Sequence, residues 1–168
     1  MLNTPAFYAA VPLSRVATAA PYFGPDRGPG QQTPSWQINL DFIAMLNAYR
    51  PSGGLARANE VAVRFRPHGG TSVTALAQWI VRRQVISFEW QGKIWLPLFQ
   101  FNHEDMARQP GLDAVLSELV LVYDNWEIAK WFSLPNPWLA DNTPADTLAS
   151  NAPEVLNAAR AERFVAAG

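Results

Sequence analysis

Three prolines within eighteen residues place the strongest constraint on how this chain folds. They lie in WFSLPNPWLADNTPADTL, residues 131–148. Pro135 and Pro137 stop any helix that carries Trp131, because proline lacks an N–H and its ring clashes with the turn before it. Thr143-Pro144-Ala145-Asp146 then reads as a helix start, with Thr at the N-cap, Pro at the first helical position and an acid in the first turn. Asn151-Ala152-Pro153-Glu154 repeats the device, a capping box in outline, and starts the last helix. Residues 136–142 are therefore expected to form a compact linker between helices, anchored by Trp138 and Leu139. Trp131, Phe132 and Leu134 share the stretch, and each such side chain left in water forfeits roughly 1.5–3 kcal/mol. A packed surface is expected here, not a solvent loop.

The same punctuation parses the rest of the chain. Pro5, Pro12, Pro21, Pro25, Pro29 and Pro34 break up residues 1–34, which read as a Pro-rich arm that still carries apolar side chains for strapping against a body. A helix is expected over roughly residues 36–49, with Trp36, Leu40, Ile43 and Leu46 or Asn47 near helical spacing, ended by Pro51 and the Ser52-Gly53-Gly54 that follows it. LARANEVAVRF, residues 55–65, reads as a second helix, stopped by PHGG. A third, over 72–83, presents Val73, Leu76, Ala77, Ile80 and Val81 and ends in Arg82 and Arg83. VISFEW-QG-KIW is β-branched and aromatic around a Gln-Gly turn and predicts a small hairpin. Two further helices follow from Leu112, Val115, Leu116 and Leu119 and from Trp126, Ile128, Ala129 and Phe132, with Asp124 or Asn125 capping the second. Trp36, Trp79, Trp90 and Trp95 are expected in the core or along a dimer seam, the core being favoured. The fold class is mainly α: a multi-helix domain with one small β-hairpin and a Pro-rich N-terminal arm, divided as 1–34, 35–109 and 110–168.

Of the 168 residues 49% are apolar and 16% are charged, enough to bury a core and few enough charges to suggest association into a homo-oligomer. With no cysteine the chain has no thiol chemistry and no disulfide, which fits a cytoplasmic protein. No apolar run approaches the roughly eighteen residues of a membrane span, and no secretory signal pattern opens the chain, so neither a membrane nor export is expected. Charge is unevenly spread. Residues 50–93 hold seven basic side chains against two acidic ones, while residues 94–168 hold four against ten. Two surfaces of opposite sign point to two different partners.

Chemistry-bearing patterns are few. His103-Glu104-Asp105 lacks a second histidine at helical spacing and reads as a solvated turn, so no metal site is expected. No phosphate-binding glycine loop, G-x-S-x-G or H-E-x-x-H pattern occurs, so no catalytic residue and no cofactor are assigned and a non-enzyme is expected. A helix followed by a hairpin and flanked by Arg57, Arg64, Arg82, Arg83 and Lys93 is the coarse signature of a winged or excisionase-like DNA-binding unit, in which those cations would meet phosphates.

Two segments carry a family resemblance. LAQWIVRRQVISFEWQGKIWLPLFQF, with its closing P-x-F-Q-F, resembles the body of MbcA-like antitoxins. WFSLPNPWLADNTPADTL with the tail ARAERFVAAG resembles the toxin-binding domain of the Xre/MbcA/ParS antitoxins, whose pattern W-[LF]-x-x-P-N-x-x-L-x-G-x-T-P-x-x-x-L is matched at Trp131, Phe132, Pro135, Asn136, Leu139, Thr143, Pro144 and Leu148. The likeness spans about residues 70–168. It implies a toxin-binding domain over 110–168 that docks on a RES-domain toxin, an NAD-consuming enzyme, through the Pro-Asn linker and lodges Phe164, Val165 and Gly168 at its active-site entrance. Asp141 stands where the pattern has glycine, and a positive φ is expected there, which Asp tolerates better than most residues. The alternative is a transcriptional regulator that binds DNA through residues 57–93.

Overall fold

The computed structural model describes residues 35–65 and 73–168. The arm of residues 1–34, the PHGG stop with His68 and the expected helix start at Ser72 lie outside the described residues.

The first helix, α1 (Ser35–Ala48), turns a different face inward from the one its sequence suggests. Trp36, Leu40 and Ile43 are more than half exposed, and the buried side chains are Phe42, Met45 and, one residue beyond the helix, Tyr49. The aromatic hairpin decides this. Phe42 stacks on Trp90 with centroids 3.8 Å apart and meets Phe88 and Trp95 edge-on, arrangements that add to plain area burial. Tyr49 donates its hydroxyl to the Ala129 carbonyl at 2.6 Å. Trp36 is thus outside the core, whereas Trp90, Trp95 and Trp79 are half-buried in ring contacts.

Leu55–Arg57, expected to be helical, is instead strand β1. Gly53 and Gly54 take φ of 102° and 85°, a conformation open to glycine at little cost, and swing the chain onto an open sheet edge. Leu55 then lies opposite Pro97, and Arg57 opposite Trp95. Helix α2 (Ala58–Phe65) follows, with the Arg57 N–H donating to the Glu60 carboxylate at its start. After α3 (Val73–Val81) come β2 (Phe88–Trp90) and β3 (Lys93–Pro97). Gln91 and Gly92 between them both have positive φ, the hairpin geometry expected of Gln-Gly. The three-stranded antiparallel sheet has the order β1-β3-β2.

The C-terminal helices stand where their capping residues put them. Helix α4 (Leu112–Leu119) is followed by α5 (Asn125–Ser133), whose N-cap Asp124 and Glu127 form a reciprocal capping box. Helix α6 (Pro144–Ala166) bends at Asn151, whose φ and ψ of −149° and 64° leave the helical region. The two helices expected at Thr143 and Asn151 are its two arms. Gly111 packs into the bend, where a β-carbon would lie 2.6 Å from that of Ala152.

Thr33–Gly168 forms one unit. Its larger buried cluster joins Phe42, Met45, Ile86, Phe88 and Phe99 to Leu112, Leu116, Phe132, Leu148 and Val155, so the boundary expected near residue 110 falls inside a shared core. A smaller cluster gathers Ala56, Val61, Phe65, Leu76, Val85 and Leu96 beneath the sheet. Gln100, fully buried, clasps the strands: its amide donates to the Ile86 and Pro97 carbonyls and accepts from the Ile86 N–H at 2.7 Å. The Gln of P-x-F-Q-F is a structural residue whose role the sequence did not disclose.

Candidate functional site

The linker between α5 and α6 is built around the buried side chain of Asn136. Its carboxamide oxygen accepts from the Trp138 N–H at 2.9 Å and caps the short 3-10 turn Pro137–Leu139. The Asn136 backbone closes the loop. Its N–H donates to the Asn142 carbonyl, and its carbonyl accepts from Leu139 and Asp141, all at 2.9–3.0 Å. Thr143 then caps α6 by accepting from the Asp146 N–H at 3.1 Å. These bonds leave the loop little backbone freedom.

The side chains divide sharply. Trp131, Phe132, Leu139, Pro144 and Leu148 face inward. The indole N–H of Trp131 finds no acceptor among the described residues, so the ring is held by shape, edge-on to Phe132. Trp138, expected to anchor the linker, does the opposite and is 70% exposed, with Leu134, Pro135, Pro137 and Asp141 on the surface beside it. Leu139 alone anchors the turn. Asp141 has φ of 62°, the positive value expected of a residue standing for glycine, and Ala140 before it has 51°.

The far end of α6 is tied to α4 by charge. Arg163 and Arg160 both pair with Glu118, at 2.6 and 3.3 Å. The Arg163 hydrogen bond holds the Glu118 carboxyl below the usual carboxylate range; burial opposes this and Arg160 adds to it. Tyr123 donates its hydroxyl to Glu162, and burial together with that carboxylate raises its pKa well above the usual phenol value. Beyond Arg163 comes an apolar end: Phe164 is 83% exposed, and Val165 and Gly168 are also on the surface. The linker and the tail lie at opposite ends of α6. At 1.5 Å per residue a straight helix would separate them by about 33 Å, and the bend at Asn151 shortens that.

The five basic candidates are not equivalent. Arg83, itself at φ 54°, donates to the Tyr123 and Val120 carbonyls and to the Asn125 side chain, closing the exposed C-terminus of α4. Its charge is committed to the fold. The guanidinium of Arg57 lies over the Trp95 ring, 5.4 Å from its centroid. Arg64, Arg82 and Lys93 are on the surface. His103 sits in an exposed turn, and no three metal-ligating side chains converge among the described residues. No described helix is long and apolar enough to cross a membrane.

Comparison with family models, curated proteins and solved structures finds no match to this chain.

Proposed function

We propose that this chain is an antitoxin-like protein that neutralises a RES-type, NAD-consuming toxin through its C-terminal surface. The observation that carries the reading is the display of Trp138. A tryptophan held largely out of a loop fixed by its own hydrogen bonds is a preorganised anchor, the kind of side chain that dominates interfaces. Leu134 and two prolines widen the apolar surface around it, and Asp141 adds a charged edge. The exposed apolar end of α6, from Phe164 onward, supplies a second element for the same partner. Such a role needs no catalytic group on this chain.

The test is binding of the purified full chain to a RES-domain toxin from a neighbouring reading frame. Trp138→Ala is expected to weaken the complex about thirtyfold or more, equivalent to about 2 kcal/mol, with an unchanged circular dichroism spectrum. Equal affinity of variant and parent would remove the linker from the interface.

A second reading has one observation in its favour. The order helix, strand, helix, helix, strand, strand over residues 35–97, with the sheet arranged β1-β3-β2, is that of a winged unit. Against it, α3 contains no cation and Arg83 is committed to α4. DNA binding through phosphates predicts an affinity that falls steeply with salt and weakens for all sequences alike in Arg82→Ala. A salt-independent interaction, or none, would exclude it.

A further inference from the structure

The exposed face of α1 carries an apolar stripe that ends in a depression. Trp36, Leu40, Ile43 and Asn47 recur at spacings of four, three and four, forming a stripe on the side of the helix away from buried Phe42, Met45 and Tyr49. Trp36 projects from one end, 61% exposed; Leu40 and Ile43, at 53% and 52%, continue the stripe. At the other end, about three turns along, lies a shallow depression of about 370 Å³ lined by Ile43, Leu46, Asn47, Arg50, Gly54 and Leu55. The helix thus carries a knob and a hole on one face.

We infer that α1 forms an isologous, antiparallel homodimer in which Trp36 of each copy fills the depression at the C-terminal end of the other's α1. A two-fold axis crossing the helix between Leu40 and Ile43 satisfies both contacts at once, because in such an interface residue i meets j and j meets i. Leu40 then packs against Ile43 of the second copy. Arg50, exposed at the rim of the depression, lies where it can cover the incoming indole face.

Charge favours this occupant. Asp41 is the one charged residue of α1, and it is neutralised by Lys130 at 2.9 Å. The stripe therefore meets its own copy without repulsion, and the one charge an outside partner would find beside it is Arg50, at the rim of the depression. The proposal does not depend on the toxin reading and involves different residues.

Sedimentation equilibrium of the full chain is expected to show a reversible dimer. Ile43→Glu is expected to give a monomer with an unchanged circular dichroism spectrum, since the position is surface-facing. Trp36→Ala should raise the dissociation midpoint about tenfold or more, and Leu40→Gln serves should Ile43→Glu fail to fold. Because the chain has no cysteine, orientation can be read by oxidising a mixture of Ser35→Cys and Asn47→Cys proteins. Mixed 35–47 crosslinks in excess of 35–35 support the antiparallel pair. A monomer at all concentrations, a dimer indifferent to the α1 substitutions, or dominant 35–35 crosslinks would each overturn it. A monomer whose α1 face resists labelling would overturn it too, and would mean that something other than a second copy covers that face.

Discussion

Ala140 and Asp141 hold left-handed backbone side by side, and both are L-residues. That conformation costs an ordinary residue roughly 1–2 kcal/mol, less for Asp, and nothing comparable for glycine. The loop tolerates it because the Asn136 carbonyl and side chain fix the turn around Leu139. Asp141→Gly is therefore expected to stabilise the protein by about 0.5–1 kcal/mol, measured as a shift of the urea unfolding midpoint with an unchanged slope. No gain would mean that the Asp141 side chain contributes something glycine cannot. The positive φ of this residue was expected only through the family resemblance, whose pattern has glycine at that place in the linker. Trp138 was not. Its size argued for burial, and only the cap from Asn136, which fixes the direction of the turn, shows that Leu139 takes the inward position.

At the scale of elements, helix ends were the most legible feature, because caps and prolines act within four residues. Asp124, Thr143 and Asn151 each begin a helical arm where their side chains suggested. Misread elements were those decided by distant partners. The buried face of α1 is chosen by Trp90 of the hairpin, and β1 exists because β3 offers it an edge; neither fact is present in local periodicity. The last turns of α6 show how an element is held by charge. Glu118 is depressed by Arg163 and Arg160, so its contribution is complete above the usual carboxylate pKa and is lost as pH falls through the lowered value. Below about pH 4, amide exchange in residues 156–166 is expected to accelerate before global unfolding. In Glu118→Gln that region should exchange fast at neutral pH and lose its acid dependence. Equal protection in parent and variant would show that packing on α4 alone holds the tail.

For the whole molecule, the larger buried cluster spans the boundary that changes in sequence pattern suggested near residue 110, so the linker between α5 and α6 shares a core with the residues before that boundary. The fold class was legible because helix periodicity and capping dominate this chain. The proposed docking surface was suggested only by a family-like pattern, since a surface is defined by what the core leaves out. Trp138, in the turn before α6, and Phe164, in its last turn, are both exposed, so a partner engaging both must reach along the length of α6. The most direct measurement is the NAD content of cells expressing a RES-domain toxin together with this protein, either complete or ended after Arg163. The account predicts that the complete chain preserves NAD and the shortened one, still folded, does not. NAD loss unaffected by the complete chain, or prevented equally by both, would contradict it.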